Sequence, residues 1–110
     1  MVSPSPGLLA TGGLLPFDRA RTGSLFGEGA GALALETEDA ARARSAPVLG
    51  EVLGGGGASD ALGLLAISDD GDGVVRAIEA ALADARVHAR DIGMIVAHGN
   101  GTALSDASEA

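Results

Sequence analysis

Apolar residues recur along this chain at two different periods, and the periods divide it into elements. Between Val74 and Arg86, residues Val75, Ile78, Leu82 and Ala85 fall at spacings of three and four, which predicts an amphipathic helix. Asp70 and Asp72 precede it as capping candidates. Residues 94–97, Met-Ile-Val-Ala, form a short uncharged run between Asp91 and Gly99, and that length predicts a fully buried strand. Residues 30–36, with Ala32, Leu33 and Leu35, predict a second strand, and residues 48–53 a third. A strand, a helix and then the 94–97 strand make a βαβ-like unit with a right-handed crossover. His98 then stands at a strand's carboxyl end, where α/β sheets bind ligands.

The remaining stretches are shorter. Residues 36–44 begin with acids and end with arginines, an order that suits the helix dipole, and Pro47 is expected to stop that helix. Residues 106–110 look like the first turn of another helix, capped by Ser105 or Asp106. Residues 1–15 carry Pro, Gly and Ser without periodicity and read as a loop or frayed lead-in. Residues 59–70 read as a loop, although Leu62, Leu64, Leu65 and Ile67 are apolar for one.

Composition bears on whether such elements close a core. The 110 residues hold 18 glycines and only two aromatics, Phe17 and Phe26, so bulky core formers are scarce. The expectation is interior strands and turns of a larger α/β body, with no cooperative unfolding of the chain alone. A net charge of −8, with arginine as every base, offers no attraction to nucleic acid or to an anionic membrane surface. Cysteine is absent, which excludes disulfides, thiolate metal sites and a thiol nucleophile within these residues. With no basic n-region and no apolar run of about 18 residues, a cytoplasmic location is expected.

Glycines 27, 29 and 31 in GEGAG leave room for a close backbone or ligand, but the spacing is not a dinucleotide fingerprint and Glu28 stands where a phosphate would sit. The run from Gly54 to Gly57 reads as a flexible turn. His98 is the candidate for chemistry: Gly99 and Gly101 keep its ring approachable, and Thr102 offers a hydroxyl. Asp106 and Glu109, three apart, share one face of the following helix. One histidine with two carboxylates is thin support for a metal site, and no GxSxG elbow supports a serine triad. His88, between Val87 and Ala89, is expected at the surface.

These motifs, in this order, resemble the β-ketoacyl synthases, the condensing enzymes of fatty-acid and polyketide synthesis with a thiolase-like (αβαβα) fold. Pro16-Phe17-Asp18, Arg21, Gly23, GEGAG at Gly27 to Gly31 and Leu35-Glu36 resemble one family block. Ser59-Asp60-Ala61, AALADA at Ala80 to Ala85, and HGNGT at His98 to Thr102 with Asp106 and Glu109 resemble three more. The resemblance implies an α/β, partial thiolase-like fold. Residues 16–46 would end the N-terminal half and residues 47–110 would begin the C-terminal half.

It also implies a chemistry. An acyl group passes from the phosphopantetheine of an acyl carrier protein to a cysteine, and a malonyl thioester is decarboxylated to attack it. His98 matches the first of two histidines that stabilise the enolate formed. Thr102 and Asn100 match positions that contact the pantetheine arm, Asn100 standing where the family usually has threonine. Glu109 matches a carboxylate that organises the site through a lysine or a cation, with Asp106 beside it. No cofactor is implied beyond the carrier-borne phosphopantetheine, and no metal. An acyl carrier protein is the expected partner, with a homodimer or heterodimer in the complete protein, and Arg19 and Arg21 are candidate contacts for an acidic carrier. The family's cysteine, second histidine and lysine are not among these residues, so the isolated chain is expected to be inactive. The alternative is a non-catalytic ketosynthase-like partner of the chain-length-factor type.

Overall fold

The Val74–Arg86 periodicity becomes a 14-residue helix in a computed structural model that describes residues 9–62 and 67–110. In chain order the helices are α1 (Glu38–Ala43), α2 (Asp72–Ala85) and α3 (Ala103–Glu109), with a 3₁₀ turn over Ala89–Asp91. Of the two capping candidates before α2, Asp70 is the one that binds the helix start: its Oδ1 accepts from the Asp72 amide at 2.9 Å and from the Ser68 hydroxyl at 2.6 Å. Asp72 is instead the first helical residue and pairs with Arg76 one turn on, at 2.7 Å. The helix closes through Arg86 in the left-handed region, with Arg86 N and Val87 N donating to Ala83 O and Leu82 O.

Residues 54–57 are not a free turn. A Cβ on Gly56 would lie 2.2 Å from Ala77 O, and one on Gly54 would lie 2.5 Å from Ala85 N, whereas Gly55 and Gly57 face open space. Alternation of covered and open positions is the period of extended chain, so the segment crosses α2 at backbone contact distance. Gly55 N also donates to Asp84 Oδ2 at 3.0 Å. At Gly54 and Gly56 α2 leaves no room for a side chain.

Helix α1 is shorter than residues 36–44. Thr37 Oγ1 caps it by accepting from Ala40 N, and it ends at Ala43. Pro47 does not terminate it. Ser45, at φ +56°, turns the chain so that Ser45 N and Ala46 N bond back to Arg42 O and Ala41 O, a Schellman closure that normally takes glycine. Helix α3 begins at Ala103 with Thr102 as its N-cap residue, so Ser105 and Asp106 lie inside the helix and do not cap it.

The strand expectations are corrected. Among the described residues no strand is formed, and sheet-type pairing is limited to one isolated parallel bridge between Leu9 and Ser24. Leu33, Leu49 and Val96 are each about nine-tenths exposed. The physical reason is that a strand is completed by a neighbour that takes its amides and carbonyls, and the described residues place none beside residues 30–36, 48–53 or 94–97. The layered sheet and the βαβ crossover are therefore absent among the described residues, leaving helices joined by unpaired segments. Of the lead-in, residues 1–8 lie outside the described residues, and beyond them Ala10 N donates to Ser24 O and Thr11 N to Thr22 Oγ1. Leu64 and Leu65 lie outside the described residues.

Little apolar surface is buried. Among the described residues Ala41 is the only buried hydrophobic one. The radius of gyration is 17.9 Å, where a compact domain of this length has about 13 Å. No helix among the described residues is long and apolar enough to cross a membrane.

Candidate functional site

Burial is concentrated at α3, and there it falls on polar groups. Asp106, in the first turn, is 1% exposed. Its Oδ1 accepts from Gly101 N at 3.0 Å and its Oδ2 from Phe17 N at 2.6 Å, so one carboxylate ties two segments far apart in the chain to one helix. Arg21 lies against the same group, with Nε 3.7 Å from Asp106 Oδ2. Its remaining nitrogens donate to Ala103 O and Asp18 O, both at 2.9 Å. The Arg21 side chain is four-fifths buried and spends its nitrogens within the chain, while Arg19 stays exposed.

Glu109 sits one helical turn beyond Asp106 and serves the same loop. Its Oε1 accepts from His98 N at 2.6 Å and its Oε2 from Gly99 N at 2.9 Å. Donation from Gly99 N, and next from His98 N, holds the Glu109 carboxyl below the usual glutamate range, because both bonds favour the ionised form. Asn100 and Thr102 bond to each other: Asn100 Oδ1 accepts from Thr102 N at 2.9 Å and from Thr102 Oγ1 at 2.8 Å. The Thr102 hydroxyl donates into that turn, and the N-cap residue of α3 makes no side-chain capping bond.

Both loop glycines are required by conformation and by space. Gly99 has φ +48° and Gly101 φ +78°. A Cβ at Gly101 would come 2.7 Å from Gly23 O, and one at Gly99 would come 3.0 Å from Cε2 of the Phe17 ring. Phe17 is itself left-handed, at φ +61°, a conformation that costs an ordinary residue about 1–2 kcal/mol.

The structure thus brings the sequence candidates His98, Asn100, Thr102, Asp106 and Glu109 into one loop-helix unit. It does not pair the two carboxylates with the imidazole, since both are occupied by backbone amides. Among the described residues no group of three His, Asp or Glu side chains is arranged to hold a metal. Phe17 and Arg21 complete the unit, and their only signal in the sequence is the PFD..R motif. GEGAG takes no part: Gly27, Gly29 and Gly31 have nothing within 4 Å on their Cβ side.

His98 also lines a cavity of about 410 Å³, with Ser105, Ser108 and Glu109 from α3, Val74, Ala77 and Ile78 from α2, and Asp60. Asp60 Oδ2 accepts from Ser68 N at 3.0 Å. His88, by contrast, is exposed, its amide bonded to Asp91 at 3.1 Å. The chemistry available at the cavity is a histidine whose main chain is fixed and whose ring can donate a hydrogen bond to charge developing on a bound group.

Residues 49–110 match the family described as Beta-ketoacyl synthase, C-terminal domain. The chain is 42% identical over 94 residues to 3-oxoacyl-[acyl-carrier-protein] synthase 2 of Vibrio cholerae, covering 86% of this chain and 23% of that protein. Its identity to the Staphylococcus aureus protein of the same name is 38%, with the same coverage. Among solved structures, the ishigamide ketosynthase/chain length factor superposes with TM-score 0.87 at 45% identity, over 94% of this chain and 25% of that one. A type II PKS acyl-carrier protein in complex with its ketosynthase bound to the hexaketide gives TM-score 0.83 at 33% identity, over 87% and 24%. The chain therefore spans about a quarter of the length of the relatives it matches. On the family match and these superpositions, the chain belongs to the β-ketoacyl synthase family.

Proposed function

We propose that this chain supplies the first-histidine segment of a decarboxylating β-ketoacyl synthase, with residues 16–46 ending its N-terminal half and residues 47–110 beginning its C-terminal half. The reaction joins an acyl thioester to a malonyl thioester. The bond from the malonyl carbon to its carboxylate breaks and CO₂ leaves. The released electron pair forms an enolate, which attacks the carbonyl carbon of an acyl-cysteine, and the thiolate departs as the new carbon–carbon bond forms. His98 donates a hydrogen bond to the thioester oxygen as negative charge collects there. Glu109 and Asp106 position the loop that carries His98, and they do so through main-chain amides. Thr102 and Asn100 face the pantetheine arm, and their mutual hydrogen bonds preset the loop for it.

The observation that carries this reading is the pinned histidine: His98 N and Gly99 N both bonded to Glu109, and His98 lining the cavity. The substrates are carrier-borne, so an acyl carrier protein is the proposed partner, in a cytoplasmic homodimer or heterodimer. The cysteine comes from outside these residues, which contain none.

The test is a segment exchange. The whole 110-residue chain replaces the matching stretch of the Vibrio cholerae synthase, and condensation is assayed with acyl- and malonyl-carrier protein. The exchange enzyme is expected to turn over, and the chain alone is not. A soluble exchange enzyme that loads acyl groups but never condenses would contradict the proposal. It would favour the second reading, a non-catalytic partner of the chain-length-factor type, which the similarity to the ishigamide ketosynthase/chain length factor also supports.

A further inference from the structure

We propose that Phe17 is a positioning residue for His98, acting through Gly99. The proposal rests on the reading of His98 given above. Three observations meet at this residue. Its amide is held by the buried Asp106 carboxylate at 2.6 Å, on the oxygen not used by Gly101. Its backbone is left-handed without being glycine, at φ +61°. Its ring edge occupies the space beside Gly99, where even a methyl group would come within 3.0 Å, with Pro16 Cβ at 3.3 Å from the same point.

A strained residue persists where its surroundings over-determine it, and here Asp106 and Arg21 are those surroundings. The effect is directional. Glu109 fixes the chain at the amides of His98 and Gly99, and Phe17 limits how Gly99 can turn immediately afterwards. The orientation of His98 is thereby set from both sides, by a carboxylate on the following helix and by a ring from the opposite end of the chain. Phe17 touches no reacting atom. It fixes where the imidazole stands relative to a bound thioester.

The experiment uses the exchange enzyme and separates the two half-reactions. Phe17→Ala is expected to slow malonyl decarboxylation at least about tenfold in kcat, with KM for malonyl-carrier protein changed less than about twofold. Acyl loading of the host cysteine, which does not use His98, is expected to stay within about twofold of the parent. Phe17→Tyr, which keeps the ring edge, is expected to restore decarboxylation to within about twofold. Decarboxylation unchanged in Phe17→Ala overturns the proposal, and so does an equal loss of both half-reactions, which marks a general folding role. If Phe17→Ala is insoluble, Gly99→Ala presses the same contact from the other side and is judged by the same two ratios. Failure of the functional reading itself is distinct: the unmutated exchange enzyme then loads but does not condense.

Discussion

Replacing Asp106 with alanine removes the group that joins α3 to both the 16–21 turn and the 99–101 loop. In the wild-type chain this 1% exposed carboxylate accepts from Phe17 N and Gly101 N, with Arg21 Nε at 3.7 Å. A hydrogen bond to a charged acceptor contributes about 1.5–3 kcal/mol net, and each donor left buried without a partner keeps its desolvation cost. Two such bonds give about 3–6 kcal/mol. Relaxation of the Phe17 turn, which regains about 1–2 kcal/mol on leaving its left-handed conformation, brings the expected local loss to about 3 kcal/mol. At about 1.4 kcal/mol per tenfold, amide exchange in peptides covering residues 14–21 and 98–104 should accelerate by about two orders of magnitude, measured by mass spectrometry on the exchange enzyme. Exchange across α2 should not change, because among the described residues Asp106 makes no hydrogen bond or ion pair to it. Acceleration below about fivefold in either loop peptide would refute the clamp.

Two further outcomes follow from the geometry. Gly56→Ala drives a methyl group to 2.2 Å from Ala77 O and should destabilise the α2 packing by about 3 kcal/mol or more, whereas Gly57→Ala, facing open space, should be neutral or slightly stabilising; urea-dependent proteolysis of the two variants distinguishes them. For Glu109, whose carboxyl is held below its ordinary value of 4.5, protection of the His98 and Gly99 amides should be complete above that value and lost as pH falls through the lower folded-state value, with Glu109→Gln abolishing the pH dependence in an exchange-versus-pH series.

What is legible in the sequence is local. The three-four spacing from Val75 to Ala85 finds α2, and the offset of three between Asp106 and Glu109 puts both on one helical face; neither needs any other part of the chain. The strands fail because a strand is a statement about a neighbour. The run Met94-Ile95-Val96 is apolar enough to be buried, yet its residues are 81%, 82% and 89% exposed, since no described segment pairs with it. The Gly54–Gly57 run misleads for a related reason: four glycines signal freedom in isolation, and only the approach of Ala77 and Ala85 shows that Gly54 and Gly56 mark contact. At the site, spacing places His98, Thr102, Asp106 and Glu109 on one loop and the helix after it, and the structure has them there. It does not show that the carboxylates address main-chain amides, because hydrogen bonds to backbone leave no pattern in side-chain identity. Phe17 and Arg21 meet Asp106 from the other end of the chain, beyond the reach of any local rule.

That His98 stabilises the enolate formed on decarboxylation is tested most directly by His98→Ala in the exchange enzyme, with carbon dioxide release from malonyl-carrier protein and acyl loading of the host cysteine measured on the same preparation. Loss of one donor to developing oxyanion charge lowers such a step by about 10²–10³. Carbon dioxide release is expected to fall by that factor while acyl loading is retained. Release at the parent rate would show that His98 does not carry the oxyanion.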